Sequence, residues 1–206
     1  MYRKGKKVDY YTELAKKQGY PARSVFKLKE IDEKYKIFKK GDKVLDLGSA
    51  PGSWIMYVSE KVGEQGFVLG VDTEDLKIPE RKNIKFVKKS VFSAEGATPT
   101  GGQGPAFGWE SKFDVVISDM APNTTGVAFV DEGKSLELSE KAFELAKLFL
   151  KPGGNFVCKI FESPETADFF KKVKSSFDFA KRFKPKAVIK KSREFYIACK
   201  GFKTQT

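Results

Sequence analysis

Asp46-Leu-Gly-Ser-Ala-Pro-Gly-Ser-Trp54 is the stretch on which the fold depends. The residues around its start, Val44-Leu-Asp-Leu47, make a short apolar strand, and a helix runs from about Gly52 to Val62. A buried strand that ends in glycine and passes straight into a helix is a ligand-binding arrangement. Glycines such as Gly48 and Gly52 let a ligand approach the backbone, and the helix N-terminus offers free N–H groups. The spacing is neither Gly-x-Gly-x-x-Gly nor a loop ending in Gly-Lys-Ser/Thr, which disfavours a dinucleotide or a triphosphate.

Downstream, strands and helices alternate. Phe67–Val71 ends at Asp72, Ile84–Val87 is a third strand, and Phe113–Ser118 ends at Asp119. A long amphipathic helix follows, with Leu138, Ala142, Leu145, Ala146 and Phe149 on one face, and Lys151-Pro-Gly-Gly stops it. Asn155–Ile160 is a fifth strand, Pro164–Ser175 a helix and Glu194–Cys199 a final strand, with room for one more near Phe179–Phe183. The pattern predicts an α/β fold with a mostly parallel sheet and helices on both faces. Ligands bind such sheets beyond the carboxyl ends of the strands. Upstream, Asp9–Gln18 and Arg23–Tyr35 read as basic helices. Val25, Leu28, Ile31 and Tyr35 of the second face the core, with Arg23, Lys27 and Lys34 off that stripe. The chain reads as one domain over residues 1–206, with residues 1–40 a basic helical extension and 94–108 a flexible Gly/Pro-rich loop.

Composition narrows the function. Hydrophobic residues make up 40% of the 206 positions and aromatics 14%, enough for a packed core. No apolar run is long enough to span a membrane and no signal-peptide core is evident, so a cytoplasmic protein without a membrane partner is expected. Cys158 and Cys199 lie far apart in apolar runs and the chain has no His, which predicts buried thiols and no metal site. Residues 1–40 carry 13 Lys/Arg against 5 Asp/Glu and residues 171–206 carry 12 against 2, whereas the middle is net acidic. Two basic ends that converge on one face suit a polyanion; a merely solvated Lys-rich surface is the plainer reading.

Several polar residues sit where chemistry is expected. Asp72, at the end of the second strand, either accepts hydrogen bonds from a ribose diol or caps a turn. Asp119 and Lys159 both fall at the carboxyl ends of strands, as a reactive pair or a plain buried ion pair.

Five stretches together carry a resemblance: Arg23-Ser-Val-Phe-Lys-Leu-Lys-Glu-Ile-Asp32, Leu45–Trp54, Ser118-Asp-Met-Ala-Pro-Asn123, Phe156-Val-Cys-Lys-Ile-Phe161 and Ser192-Arg-Glu-Phe-Tyr-Ile197. In this order the chain resembles the FtsJ/RrmJ family of RNA ribose 2′-O-methyltransferases. The resemblance implies a Rossmann-like methyltransferase fold with seven strands, the last antiparallel, and S-adenosyl-L-methionine as cofactor. It places a catalytic tetrad on Lys27, Asp119, Lys159 and Glu194, and cofactor contacts on Gly48, Gly52, Trp54, Asp72 and Asp119. Ser90 stands where many members carry an acid near the adenine, so that contact is expected to be weaker or made by a backbone amide. Without the resemblance, Lys27 reads as a surface lysine and Glu194 as an edge-strand charge.

The implied reaction is methylation of a 2′-hydroxyl, with a uridine of large-subunit ribosomal RNA or the assembled subunit as partner and a monomeric enzyme. A tRNA methyltransferase acting near the anticodon shares the motifs, and a non-catalytic RNA-binding protein that keeps the fold belongs to a different class. Displacement at a sulfonium methyl needs little covalent help, so positioning the nucleophile is most of the work. Lys159 either takes the hydroxyl proton or, protonated, steers the oxygen and stabilises developing alkoxide.

Overall fold

A computed structural model describes residues 10–94, 112–189 and 191–204. Two helices, α1 (Tyr10–Lys17) and α2 (Val25–Tyr35), precede β1 (Lys43–Leu47), α3 (Ser53–Val62), β2 (Phe67–Asp72) and β3 (Ile84–Lys88). A 3₁₀ turn at Val91–Ala94 follows, then β4 (Phe113–Ser118), α4 (Ala128–Phe149), β5 (Leu150–Phe161), α5 (Thr166–Ser175), β6 (Phe177–Phe183) and β7 (Glu194–Phe202). Residues 95–108 of the expected Gly/Pro-rich loop lie outside the described residues.

The strands form one sheet in the order β3-β2-β1-β4-β5-β7-β6. β1 pairs in parallel with both β2 and β4, and β7 inserts antiparallel between β5 and β6. This is the Rossmann-like seven-stranded arrangement expected, and its order reverses between β1 and β4, so a crevice opens beyond their carboxyl ends. Among the described residues, no helix is long and apolar enough to cross a membrane.

Two apolar layers sandwich the sheet. Leu45 and Leu47 of β1, Val116 of β4 and Phe156, Cys158 and Ile160 of β5 pack with Ala142, Leu145, Ala146 and Phe149 of α4. The alternate residues, Val44, Val115, Ile117 and Val157, pack with Tyr196 and Ala198 of β7 beneath α2 and α3. A period of two therefore sends Asp46, Lys159, Glu194 and Tyr196 to the face covered by α2 and α3.

Val25, Leu28 and Ile31 of α2 have no exposed surface, as their spacing predicts, because this helix closes one face of the sheet. Tyr35 is half-buried against Phe179 and Phe183. β5 begins at Leu150, immediately after α4, because Leu150 already pairs with Phe113 before the register shifts to Val115↔Asn155. Lys151-Pro-Gly-Gly thus ends the helix and also forms an irregular strand start. Cys158 and Cys199 are buried free thiols, and burial pushes both well above the usual thiol range, as inert structural cysteines require.

Candidate active site

The crevice at the β1–β4 divide holds a cavity of about 390 Å³ lined by Gly48, Asp72, Ser90, Asp119, Met120 and Leu138 among others. Gly48 terminates β1 with φ +79°, a conformation that L side chains rarely adopt, and a Cβ there would stand 2.6 Å from the Met120 side chain. Only glycine lets the end of β1 lie this close to the end of β4. Gly52 has φ +118° and packs against Ile78, so it shapes the turn into α3 without lining the cavity.

Asp72 caps a turn and also lines the cavity. Its carboxylate accepts from the Ala50 N–H at 2.8 Å and the Glu74 N–H at 2.9 Å, fixing the loop after β1. Ser90 lines the same cavity on the far side of β2, next to Val91 and Phe92.

At the other end of the cavity begins a chain of polar side chains with a lysine at each end. Lys159 Nζ lies 3.1 Å from Asp119 Oδ1 and also donates to the Asp119 backbone carbonyl. The Tyr196 hydroxyl reaches both Asp119 Oδ1, at 2.9 Å, and Glu194 Oε1, at 2.7 Å. Lys27 Nζ closes the chain at 2.5 Å from Glu194 Oε1. All four members of the expected tetrad are brought together by the strand pairing and by the packing of α2 on the sheet. Lys159 and Tyr196 are directly opposite across the antiparallel β5–β7 pair, as are Phe161 and Glu194. Lys27 comes from α2, whose apolar stripe faces this side of the sheet, and its side chain is only 13% exposed. The surface-lysine reading of Lys27 therefore fails.

Tyr196 is the member that sequence reasoning missed. Burial, reinforced by the negative charges of Asp119 and Glu194, raises its hydroxyl well above the usual phenol range, so it remains a donor. A phenol carries one proton, yet two carboxylates stand within reach; Tyr196 ties Asp119 to Glu194 by sharing it. A signal was present: Glu194 and Tyr196 sit two apart on one strand face, and a buried tyrosine needs a partner for its hydroxyl. Trp54 is buried away from the cavity: its ring packs on Tyr196 and its indole N–H donates to the Ser24 carbonyl.

The profile described as FtsJ-like methyltransferase matches residues 20–202. The chain belongs to that family. It is a methyltransferase by this membership and by its relatives. The "Ribosomal RNA large subunit methyltransferase E" of Desulfatibacillum aliphaticivorans is 46% identical over 199 residues, which cover 95% of this chain and 92% of the relative. The protein of the same name from Bdellovibrio bacteriovorus is 40% identical over 197 residues, covering 92% of this chain and 94% of the relative. A crystal structure of a Plasmodium falciparum protein described as a ribosomal RNA methyltransferase superposes with a TM-score of 0.75 at 25% identity, covering 89% of this chain and 98% of that one.

Membership implies S-adenosylmethionine as methyl donor in general terms, and the cavity wall suits it. Both carboxylate oxygens of Asp46 and the Ser49 hydroxyl are buried with no hydrogen-bond partner among the described residues. Ser49 stands between Gly48 and Ala50, which line the cavity, and two acids on its wall, Asp72 and Asp119, suit the positively charged sulfonium and ammonium of this donor.

Asp46 also leaves a pH signature. Burial, then the charges of Asp119 and Asp72, hold its carboxyl well above the usual carboxylate range. An unfolded Asp releases its proton near pH ~3.9 while the folded one retains it, so the folded state binds the extra proton. Stability contributed by Asp46 is complete below that pH and is lost as pH rises toward its folded value, at up to about 1.4 kcal/mol per pH unit. Asp46→Asn should remove this slope. Melting temperatures measured from pH 4 to 8 for both proteins should diverge in favour of the variant as pH rises. Parallel curves would mean that Asp46 is ionised and paired in the folded protein.

Proposed function

We propose that this methyltransferase transfers a methyl group from S-adenosyl-L-methionine to a ribose 2′-hydroxyl of large-subunit ribosomal RNA, at a uridine. The observation that carries the reading is the Lys27–Glu194–Tyr196–Asp119–Lys159 chain at one end of the cavity. It offers cations and acids to orient a hydroxyl but no cysteine or histidine nucleophile, which suits direct displacement. The names of the relatives supply the ribosomal RNA.

S-adenosylmethionine, when bound, supplies an electrophilic methyl group. Asp119, which lines the cavity and pairs with Lys159, would face the sulfonium. Asp72 keeps lone pairs beyond its two backbone partners that would accept from the ribose diol, and Ser90 would stand toward the adenine. Gly48 and Gly52 shape the loop, and Trp54 acts through Tyr196 rather than on the cofactor. Lys159 would hold the 2′-oxygen in line and either take its proton as a neutral amine or, protonated, offset the negative charge that develops on that oxygen. Asp119 orients Lys159, and Lys27 with Glu194 fixes Tyr196. The basic ends of the chain supply the long-range attraction for RNA.

The test is methyl transfer to unmodified ribosomal RNA, large ribosomal particles and tRNA side by side, with the modified nucleotide mapped. A 2′-O-methyl group should appear on large-subunit RNA, in naked or particle form, and transfer should weaken steeply with salt. Modification of tRNA alone, or a methyl group on a base, would overturn the assignment.

A further inference from the structure

The first turn of α4 exposes apolar side chains that the fold does not use. Val127 is 56% exposed, Phe129 79% and Val130 39%. This turn is anchored on both sides. Asp131 accepts from the Thr125 N–H and hydroxyl and from the Gly126 N–H, and Glu132 pairs with Arg193. The exposure is therefore built in rather than a frayed helix end.

Its position follows from how α4 lies on the sheet. Ser139 of α4 donates to the Lys159 carbonyl, Ser135 accepts from the Phe161 N–H, and Glu132 meets Arg193, next to Glu194. Each step back along the helix moves one step outward past the carboxyl end of β5. Phe129, one turn beyond Glu132, therefore lies past the carboxyl end of β5, the end of the sheet that also carries Lys159 and Glu194. Arg193, 59% exposed, is held at this turn by Glu132, and Lys134 of α4 and Lys191, two residues before Arg193, are exposed as well.

We propose that Phe129 is a stacking platform for an unpaired RNA base adjacent to the methylated nucleotide. An exposed aromatic ring set among cations at a crevice rim is how single-stranded nucleic acid is held: bases stack on the ring while phosphates meet Lys and Arg. The 2′-oxygen must reach Lys159 and Asp119, so the neighbouring bases of the same strand are left at this rim. Three apolar side chains are too small a patch for a stable protein interface, which takes about 800 Å² per partner. A base needs only one ring. The inference rests on RNA being the substrate.

The experiment compares Phe129→Ala, Phe129→Leu and Phe129→Tyr on whichever RNA the wild-type enzyme methylates. Phe129→Ala should raise KM and the equilibrium Kd for that RNA by about 5- to 150-fold, the range of ~1–3 kcal/mol for one stacked base. The melting temperature, cofactor affinity and single-turnover rate at saturating RNA should hold. Phe129→Tyr should restore binding and Phe129→Leu should not, because stacking needs a π-face. Equal rescue by Leu, unchanged RNA affinity in Phe129→Ala, or a change of oligomeric state in sedimentation would overturn the platform while leaving the methyltransferase reading intact. A wild-type enzyme that methylates none of the RNAs would overturn the parent reading, and this one with it.

Discussion

Lys159→Ala should slow single-turnover methyl transfer by about 10²–10⁴, while cofactor affinity stays within a few-fold; general acid–base assistance is typically worth that much. Lys159 is 7% exposed, anchored on β5 between the fully buried Cys158 and Ile160, with its amine on Asp119. Truncation removes the amine without touching Gly48, Asp72 or Ser90, which line the cavity. The Asp119 carboxylate keeps the Tyr196 hydroxyl as a partner, so the fold should survive the loss. The pH profile of the wild-type rate separates the two roles for the amine. A rate that climbs above neutrality marks proton removal by a neutral amine, and a flat profile marks steering by a charged one. Near-normal single-turnover rates in Lys159→Ala would remove this lysine from the chemistry altogether.

What the sequence made legible follows from what each signal depends on. Strand–helix alternation and the Gly48–Trp54 turn are local patterns, and the sheet forms as they predict, because burial on alternating faces leaves few other arrangements. The Asp119–Lys159 pair is legible for the same reason: both end adjacent parallel strands. Lys27 and Tyr196 depend on tertiary packing. Lys27 lies off the apolar stripe of α2 and becomes nearly buried only because Glu194 rises to meet it from the neighbouring strand edge. Tyr196 looks apolar in a strand of Phe, Ile and Ala, and its role appears only once β7 is seen to run antiparallel beside β5. Trp54 shows the same dependence: a motif position does not reveal that its indole, buried under α2, turns toward Ser24 and Tyr196.

Asp119→Ala should be at least as damaging as Lys159→Ala and should differ from it in kind. Asp119 is where three requirements meet: it lines the cavity, neutralises Lys159 and accepts from Tyr196. Its removal leaves the Lys159 ammonium nearly buried without a counter-charge, and breaking one side of a buried ion pair costs about 3–5 kcal/mol. For a chain of this size that should lower the melting temperature by roughly 10 °C. Tyr196 would then donate to Glu194 alone, which loosens the Lys27 end of the chain as well. Cofactor affinity should fall about tenfold, the equivalent of roughly 1.4 kcal/mol for one lost charge interaction at the cavity. Asp119→Asn divides these effects. An amide of the same shape keeps an acceptor for Tyr196 but not the charge beside Lys159. Transfer by Asp119→Asn should therefore stay as low as in the alanine variant, with part of the melting temperature recovered. Full activity in Asp119→Asn would show that shape, not charge, is what this position supplies. Unchanged cofactor affinity in both variants would confine Asp119 to organising the lysine.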